Sequence, residues 1–295
     1  MEAIFLGTSC MVPTKERNHQ GIFITVKNEG ILVDCGEGIQ RQFRVADIKP
    51  TKITKILITH WHGDHVLGLP GLLQTLGSSE YERELEIYGP KGTKKAFEYM
   101  FKAFSFKIEF PHKILEIEND KLDFKDIIIE SKKLEHGVPC IGYSIKEKDT
   151  RRIKLPKIKA LGIPQGPLLG KLQDNKSVEW EGKKIDPKEV TYIVQGKKIA
   201  VVLDTLPTKS AYTLAKDADL LICESSYAHD LLEKAENYFH MTARQAAEIA
   251  SQNDVKKLVL THFSQRYKTP EQILEDAKMV FENTLAAHDF MKVKV

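Results

Sequence analysis

The chain contains no uninterrupted apolar run of about 18 residues, which excludes a membrane-spanning helix. Its amino end, Met1-Glu2-Ala3-Ile4-Phe5-Leu6-Gly7-Thr8-Ser9, carries an acid where a secretory leader needs basic residues, and its apolar stretch is too short for one. A cytoplasmic protein with no membrane partner is therefore expected. Cysteine is scarce: Cys10, Cys35, Cys140 and Cys223 are scattered and form no C-x-x-C pair. That argues against a disulfide framework or a thiolate zinc site, and for small buried apolar residues in a reducing compartment. Excess charge is lacking too. Forty-four Lys and Arg against 41 Asp and Glu leave a formal charge of +3, which excludes a polybasic scaffold. With 42% hydrophobic and 29% charged residues the chain has the composition of a folded globular protein, not of a disordered or collagen-like one. Its 295 residues suffice for two average domains or one large α/β domain.

Short β-branched runs recur: Ile22–Val26, Ile31–Val33, Ile56–Ile58, Ile127–Ile129, Ile199–Leu203, Leu220–Ile222 and Leu258–Leu260. Helical patterns lie between them, clearest over Gly71–Leu76, Thr93–Phe101, Thr242–Gln252 and Pro270–Leu285. Thr242 with Gln245 predicts a capping box, and Thr269 before Pro270 predicts an N-cap followed by proline at the first helical position. Strands mixed with helices from end to end indicate an α/β layered fold. Lys55-Ile-Leu-Ile-Thr-His60 is echoed by Lys257-Leu-Val-Leu-Thr-His262, a hint of two similar halves whose strand ends meet.

One stretch differs in composition. Arg151, Arg152, Lys154, Lys157, Lys159 and Lys171 fall within 151–173, which holds no acid and includes Gly-Ile-Pro-Gln-Gly-Pro at 162–167. Rich in Pro and Gly and poorly periodic, it reads as an extended basic arm or loop, not as core.

The strongest signal is His60-Trp61-His62-Gly63-Asp64-His65, directly after an apolar strand. Borderline cations such as zinc take imidazole nitrogen and carboxylate oxygen, and four such groups in six residues can wrap one or two ions. His60 and His62 point to one side in extended geometry, while Gly63 relaxes the turn so that Asp64 and His65 face a neighbouring ion. More donors stand at strand ends: His136, Asp204 and His262. Loops after the carboxyl ends of strands are where α/β folds place ligands.

The His60-x-His62-x-Asp64-His65 string, with a later His, Asp and His at strand ends, resembles the metallo-β-lactamase superfamily. That resemblance implies an αββα sandwich of two similar halves forming a single domain over 1–295. It implies two zinc ions per subunit, one on His60, His62 and His136, the other on Asp64, His65 and His262, with Asp204 between them. Two dications against two carboxylates and a hydroxide leave about +1, a charge that suits a phosphodiester, and the metals lower the pKa of a bound water toward ~7.

Four further segments are similar to the tRNase Z family, whose members remove 3′ trailers from precursor tRNA. Pro13-Thr14-Lys15-Glu16-Arg17-Asn18 resembles its P-x-K-x-R-N loop, and Asp34-Cys35-Gly36-Glu37-Gly38 its first sheet motif. His262-Phe-Ser-Gln-Arg266-Tyr267 resembles its last metal motif. Glu224-Ser225-Ser226-Tyr227 and His240-Met241-Thr242 match its remaining motifs apart from the Ser-Ser pair and Met241. The resemblance implies a zinc-dependent endoribonuclease that acts on precursor tRNA by attack of a metal-bound hydroxide. A 3′-hydroxyl is left on the tRNA and a 5′-phosphate on the trailer. Pro13, Lys15, Arg17 and Asn18 would then meet RNA at the entrance. The segment 151–175 would be the family's arm, gripping tRNA through Arg151, Arg152, Lys154, Lys157, Lys159 and the Gly166-Pro167 motif. A homodimer is implied as well.

Beside the resemblance, Asp64 is expected to orient the attacking water, and His240 to protonate the leaving 3′ oxygen with Glu224 hydrogen-bonded behind it. There is a tension: His240 precedes a helix whose N-terminal dipole disfavours imidazolium, whereas an ionised Glu224 favours it. If all six cations of 151–173 meet phosphates, log K should fall with log salt at a slope on the order of −4 to −5. Another hydrolase on the same scaffold, a phosphodiesterase or a thioesterase of the glyoxalase II type, is the alternative. It leaves the Pro13–Asn18 loop and the basic segment unexplained. A flavodiiron oxidoreductase would have Glu in place of His62, and a silent RNA-binding protein would have no use for seven metal donors.

Overall fold

The computed structural model describes residues 1–295. They form two compact units, Met1–Ile145 with Lys198–Val295, and Lys146–Lys197. No helix is long and apolar enough to cross a membrane.

The larger unit contains two seven-stranded sheets. In the first the order is Lys292–Lys294, Glu2–Gly7, Gly21–Val26, Glu29–Val33, Lys55–Leu57, Leu85–Gly89 and His112–Glu116. Pairing is antiparallel up to Glu29–Val33 and parallel beyond it. In the second the order is Thr284–Ala286, Leu258–Thr261, Leu220–Glu224, Lys198–Val202, Val138–Glu147, Ile127–His136 and Lys121–Asp123.

Strand alternation sends successive side chains to opposite faces, and every central strand has apolar residues on both. Ile22, Ile24, Ile31 and Val33 meet Ile141, Tyr143, Val201, Ile222 and Val259 in one core between the sheets. The residues between them, Phe23, Leu32 and Ile56, pack outward against Phe43, Leu69, Leu72, Leu73, Leu76 and Phe97. These come from the helices Ile39–Val45, Leu69–Ser78 and Thr93–Lys102. On the other side Ala200, Val202, Leu221 and Leu258 pack against Leu214, Ala247, Ile249 and Ile273. Their helices are Lys209–Ala215, Ala243–Ser251 and Glu271–Lys278. Helix, sheet, sheet and helix thus form four layers, the αββα sandwich expected. Cys35, Cys140 and Cys223 are buried free thiols and Cys10 is partly exposed.

The echoed segments are both parallel strands with a parallel neighbour on each side. Thr242 and Gln245 form the capping box. The helix expected over Pro270–Leu285 stops at Lys278 and has Pro270, not Thr269, as its N-cap. Thr284–Ala286 instead pairs in parallel with Leu258–Leu260, where sheet edge bonding overrides local helical pattern.

The smaller unit folds where an extended loop was expected, and it runs from Lys146 to Lys197, wider than 151–175. An antiparallel ribbon, Thr150–Ile153 with Thr191–Val194, forms its base. The helices Leu155–Ala160 and Pro167–Gln173 and the hairpin Val178–Trp180/Lys183–Ile185 follow. Ile158, Ile163, Leu172, Val178, Ile185 and Val190 form its own small core. Each element supplies only one or two of these side chains, so no window of sequence shows a period. Pro156, Pro167 and Pro187 start its helices, at the first or second helical position.

Candidate metal centre

The seven candidate donors come from four chain segments and meet where strands of both sheets end. His60 and His62 follow Lys55–Leu57, and Asp64 and His65 lie on the single helical turn Gly63–Val66. His136 ends its strand, Asp204 stands two residues beyond Lys198–Val202, and His262 one beyond Leu258–Thr261. Asp34, Asp204 and His262 adopt left-handed backbone at φ 57°, 37° and 62°. Such conformations are uncommon outside glycine, and Asp and His are among the residues that adopt them most readily. Gly36 is required by close approach, since a Cβ there would lie 2.2 Å from the Asp64 carbonyl oxygen.

The donor atoms form two clusters, His60, His62, His136 and Asp204, and Asp64, His65 and His262, and a third group joins Asp204 and His262 with His240. His62 Nδ1 and His136 Nε2 are 3.2 Å apart, and His60 Nε2 and His136 Nε2 lie 3.7 and 3.6 Å from Asp204 Oδ2. In the other cluster His65 Nε2 and His262 Nε2 are 3.2 Å apart, and 3.5 and 3.6 Å from Asp64 Oδ2. These same two nitrogens lie 3.6 and 3.3 Å from Asp204 Oδ1. Asp204 therefore turns one oxygen to each cluster. Donors bound tetrahedrally at 2.0–2.2 Å stand roughly 3.3–3.6 Å apart, and these separations fit that spacing. His60 Nε2 and Asp204 Oδ1 are buried without a hydrogen-bond partner. Orphaned polar atoms this deep are costly, and a cation satisfies both.

The electrostatics differ among the donors: at His65 and His262 burial works to lower the pKa, but Asp204 and other neighbours more than offset it and raise both well above the ordinary value. Burial, reinforced by the neighbouring imidazoles, holds His60 well below its ordinary pKa, in the neutral form that coordinates. For Asp204 burial works to raise the pKa, but the His262, His65 and His60 imidazoles more than offset it and keep the carboxylate ionised. Behind the ligands, the second ring nitrogens are held. Asp34 Oδ2 lies 2.7 Å from His65 Nδ1, and Asp34 in turn accepts from the Thr59 amide and hydroxyl at 2.8 and 2.7 Å. The Phe239 carbonyl lies 2.9 Å from His136 Nδ1. Such partners fix tautomer and ring orientation.

His240 Nδ1 lies 3.0 Å from each oxygen of Glu224. Burial alone would lower the His240 pKa, but the Glu224 charge and hydrogen bond raise it to about 9. The carboxylate thus favours imidazolium against the effect of burial. A cavity of about 740 Å³ opens onto the centre, lined by Met11, Val12, Leu67, Asp64, His136, Tyr227, Lys234, Tyr238, His240 and Arg266.

The entrance loop needs correction. Pro13 and Lys15 are exposed, but Arg17 is buried and donates to the Tyr267 carbonyl at 2.5 Å, over the Phe263 ring. Asn18 is likewise committed, its amide donating to Asp289 and its side chain to the Glu37 carbonyl, both at 2.8 Å. Both brace the loop. Arg151, Arg152, Lys154, Lys157, Lys159, Gly166 and Pro167 lie in the smaller unit. There Arg152, Lys157 and Lys159 are exposed and Arg151 donates to Thr191.

Sequence reasoning missed Asp34 and Ser226 as supports and Lys234, Tyr238 and Arg266 as cavity residues. Asp34 and Arg266 stood within quoted motifs, and Ser226 was visible only as a departure from one. Nothing in their spacing marked Lys234 or Tyr238.

Comparison with known proteins agrees with this geometry. Residues 15–142 match the metallo-beta-lactamase superfamily. The chain is 42% identical over 297 residues to a ribonuclease Z of Methanothermobacter thermautotrophicus, covering 100% of this chain and 97% of that protein. It is 39% identical over 306 residues to a ribonuclease Z of Enterococcus faecalis, covering 100% and 97%. The crystal structure of human tRNase Z, short form, superposes with a TM-score of 0.73 at 27% identity, covering 100% of this chain and 99% of that one. From donor geometry, fold and full-length similarity together, the chain belongs to the ribonuclease Z family of the metallo-β-lactamase superfamily.

Proposed function

We propose that the protein is a metal-dependent endoribonuclease that removes the 3′ trailer from precursor tRNA. The observation that carries this reading is Asp204 facing both donor clusters, with the Glu224–His240 pair beside it. His60, His62, His136 and Asp204 would hold one zinc ion, and Asp64, His65, His262 and Asp204 the other. Zinc in such a site polarises phosphoryl oxygens and makes water acidic enough to react near neutral pH.

The chain's own groups then have distinct tasks. Asp64, whose Oδ2 accepts the Met11 amide at 2.8 Å, orients the attacking water. His240, tied to Glu224 through Nδ1, presents Nε2 and gives a proton to the leaving 3′ oxygen. That places a hydroxyl on the tRNA and a phosphate on the trailer. Lys15 and the exposed cations of the 146–197 unit hold the RNA backbone through phosphate contacts. The protein works as a homodimer in this reading, the arm of one subunit serving its partner's site.

Incubating purified protein with precursor tRNA, with and without chelator, tests the proposal. Release of a 5′-phosphorylated trailer that chelator stops and zinc restores is expected. Zinc-loaded protein that leaves precursor tRNA intact while hydrolysing a thioester would overturn it in favour of the glyoxalase II-type alternative.

A further inference from the structure

Ser226 lies where the metal-facing and proton-transferring groups come closest, and neither role accounts for it. It is fully buried. Its Oγ is 3.1 Å from His262 Nδ1 and 2.7 Å from Glu224 Oε2, and its next neighbours are the His262 carbonyl at 3.2 Å and His240 Nδ1 at 3.4 Å.

Donor counting fixes the direction of these bonds. His262 Nε2 points at His65, Asp64 and Asp204, so a lone pair is needed there to ligate. A neutral imidazole with a free Nε2 carries its proton on Nδ1, and Ser226 Oγ is the acceptor within reach. The hydroxyl has one proton of its own. The ionised Glu224 oxygen at 2.7 Å is nearer than the His262 carbonyl and makes the charge-assisted bond. The chain therefore runs His262 Nδ1–H to Ser226 Oγ–H to Glu224 Oε2. Glu224 also accepts from the Thr205 amide at 2.7 Å, immediately after Asp204, and holds His240 at 3.0 Å. One buried carboxylate anchors three groups around the centre.

We infer that Ser226 is a positioning residue that fixes the tautomer and ring orientation of His262 and ties that ligand, through Glu224, to the proton donor His240. This rests on the metal-dependent reading of the site. An aliphatic residue at 226 would leave a buried Nδ1–H unpaired and free His262 to rotate or take the other tautomer.

The test compares Ser226→Ala with Ser226→Thr, which keeps the hydroxyl. Zinc affinity of the apoprotein is measured by competition with a chromophoric chelator, and kcat and KM on precursor tRNA and on bis(4-nitrophenyl) phosphate. Ser226→Ala should weaken the affinity by about 10–100-fold. It should lower kcat on both substrates, leave KM for precursor tRNA within about twofold, and be rescued by Ser226→Thr. Wild-type zinc affinity in a folded Ser226→Ala protein overturns the inference. If the alanine variant does not fold, nitrogen-15 NMR of the zinc-loaded wild type decides instead. A proton on His262 Nδ1 supports the inference, and one on Nε2 overturns it. The zinc and NMR readings stand even if the protein fails to cut precursor tRNA, so failure of the proposed function would be seen separately.

Discussion

Replacing Glu224 with glutamine should change the pH dependence of cleavage more than any other single property. Both carboxylate oxygens lie 3.0 Å from His240 Nδ1 and raise its pKa from 6.5 to about 9. That displacement corresponds to about 3 kcal/mol in favour of imidazolium, at 1.36 kcal/mol per unit. With the charge removed, burial is the largest remaining influence and it acts downward. In the proposed mechanism His240 acts as an acid only while protonated, so activity should fall as pH rises through its pKa. If that pKa returns to about 6.5, the protonated fraction at about pH 8 drops from about 0.9 to about 0.03, a loss of about 30-fold. The amide oxygen can still accept from the Thr205 amide, but the amide nitrogen then donates to Ser226, whose hydroxyl must turn to the His262 carbonyl. Single-turnover cleavage of precursor tRNA should show the basic limb moving from near pH 9 to below pH 7 in Glu224→Gln. Bis(4-nitrophenyl) phosphate, whose nitrophenolate leaves without taking a proton, should be hydrolysed nearly as before. The folded pKa of His240 is raised above its unfolded value, so the pair also stabilises the fold. That contribution is full below pH 6.5 and lost as pH rises through about 9, and the variant's deficit in Tm should shrink accordingly. A variant with its basic limb still near pH 9 would refute the role given to Glu224.

Asp204→Ala should lower bound zinc in elemental analysis and reduce turnover below about a thousandth of wild type, since each cluster loses its Asp204 oxygen; substantial retained activity would refute the bridge. Excising the smaller unit near its base, where the Glu147 amide donates to the Lys197 carbonyl at 2.9 Å, should raise KM for precursor tRNA while sparing hydrolysis of the small diester. The same deletion should flatten a wild-type salt slope on the order of −4 to −5, and equal losses on both substrates would show another job for the unit. Arg17→Ala should cost about 1.5–3 kcal/mol of stability through the carbonyls it leaves unpaired. Calorimetry showing an unchanged Tm with a raised KM would return Arg17 to a role in RNA contact.

Legibility followed how local each signal was. His60-Trp61-His62-Gly63-Asp64-His65 could be read directly because four donors of one ligand class are contiguous and follow an apolar strand. His136, Asp204 and His262 were legible through position, each at or just beyond the end of a strand. Arg17 was misread because burial depends on a partner some 250 residues away: the spacing of Pro13–Asn18 says nothing of Phe263 and Tyr267 closing over the guanidinium. The smaller unit was misread because its core is assembled from single side chains of many short elements. Ser226 looked like a deviation, yet a hydroxyl is what the Glu224–His262 gap of two hydrogen bonds accommodates.

The charge of the centre shows how such omissions propagate. Two dications, if bound as proposed, would with two carboxylates and a hydroxide leave about +1, the sum that pointed to an anionic substrate. Asp34, 2.7 Å from His65 Nδ1, belongs in that sum and brings it to about zero. Glu224 and the His240 imidazolium cancel one another. The attraction for a phosphodiester must then come from the cavity wall, where Lys234 and Arg266 are the cations, Arg266 lying 5.2 Å over the Tyr227 ring. A near-neutral centre inside a cationic mouth has a consequence for catalysis. In the proposed mechanism the mouth would bind ground-state phosphate and transition state about equally and so lower KM, whereas the ions and His240 would act on charge that develops only as the bond breaks. Neutralising Lys234 and Arg266 should therefore raise KM for precursor tRNA in a salt-dependent way and leave kcat nearly intact, the reverse of the pattern expected from Glu224 and Ser226.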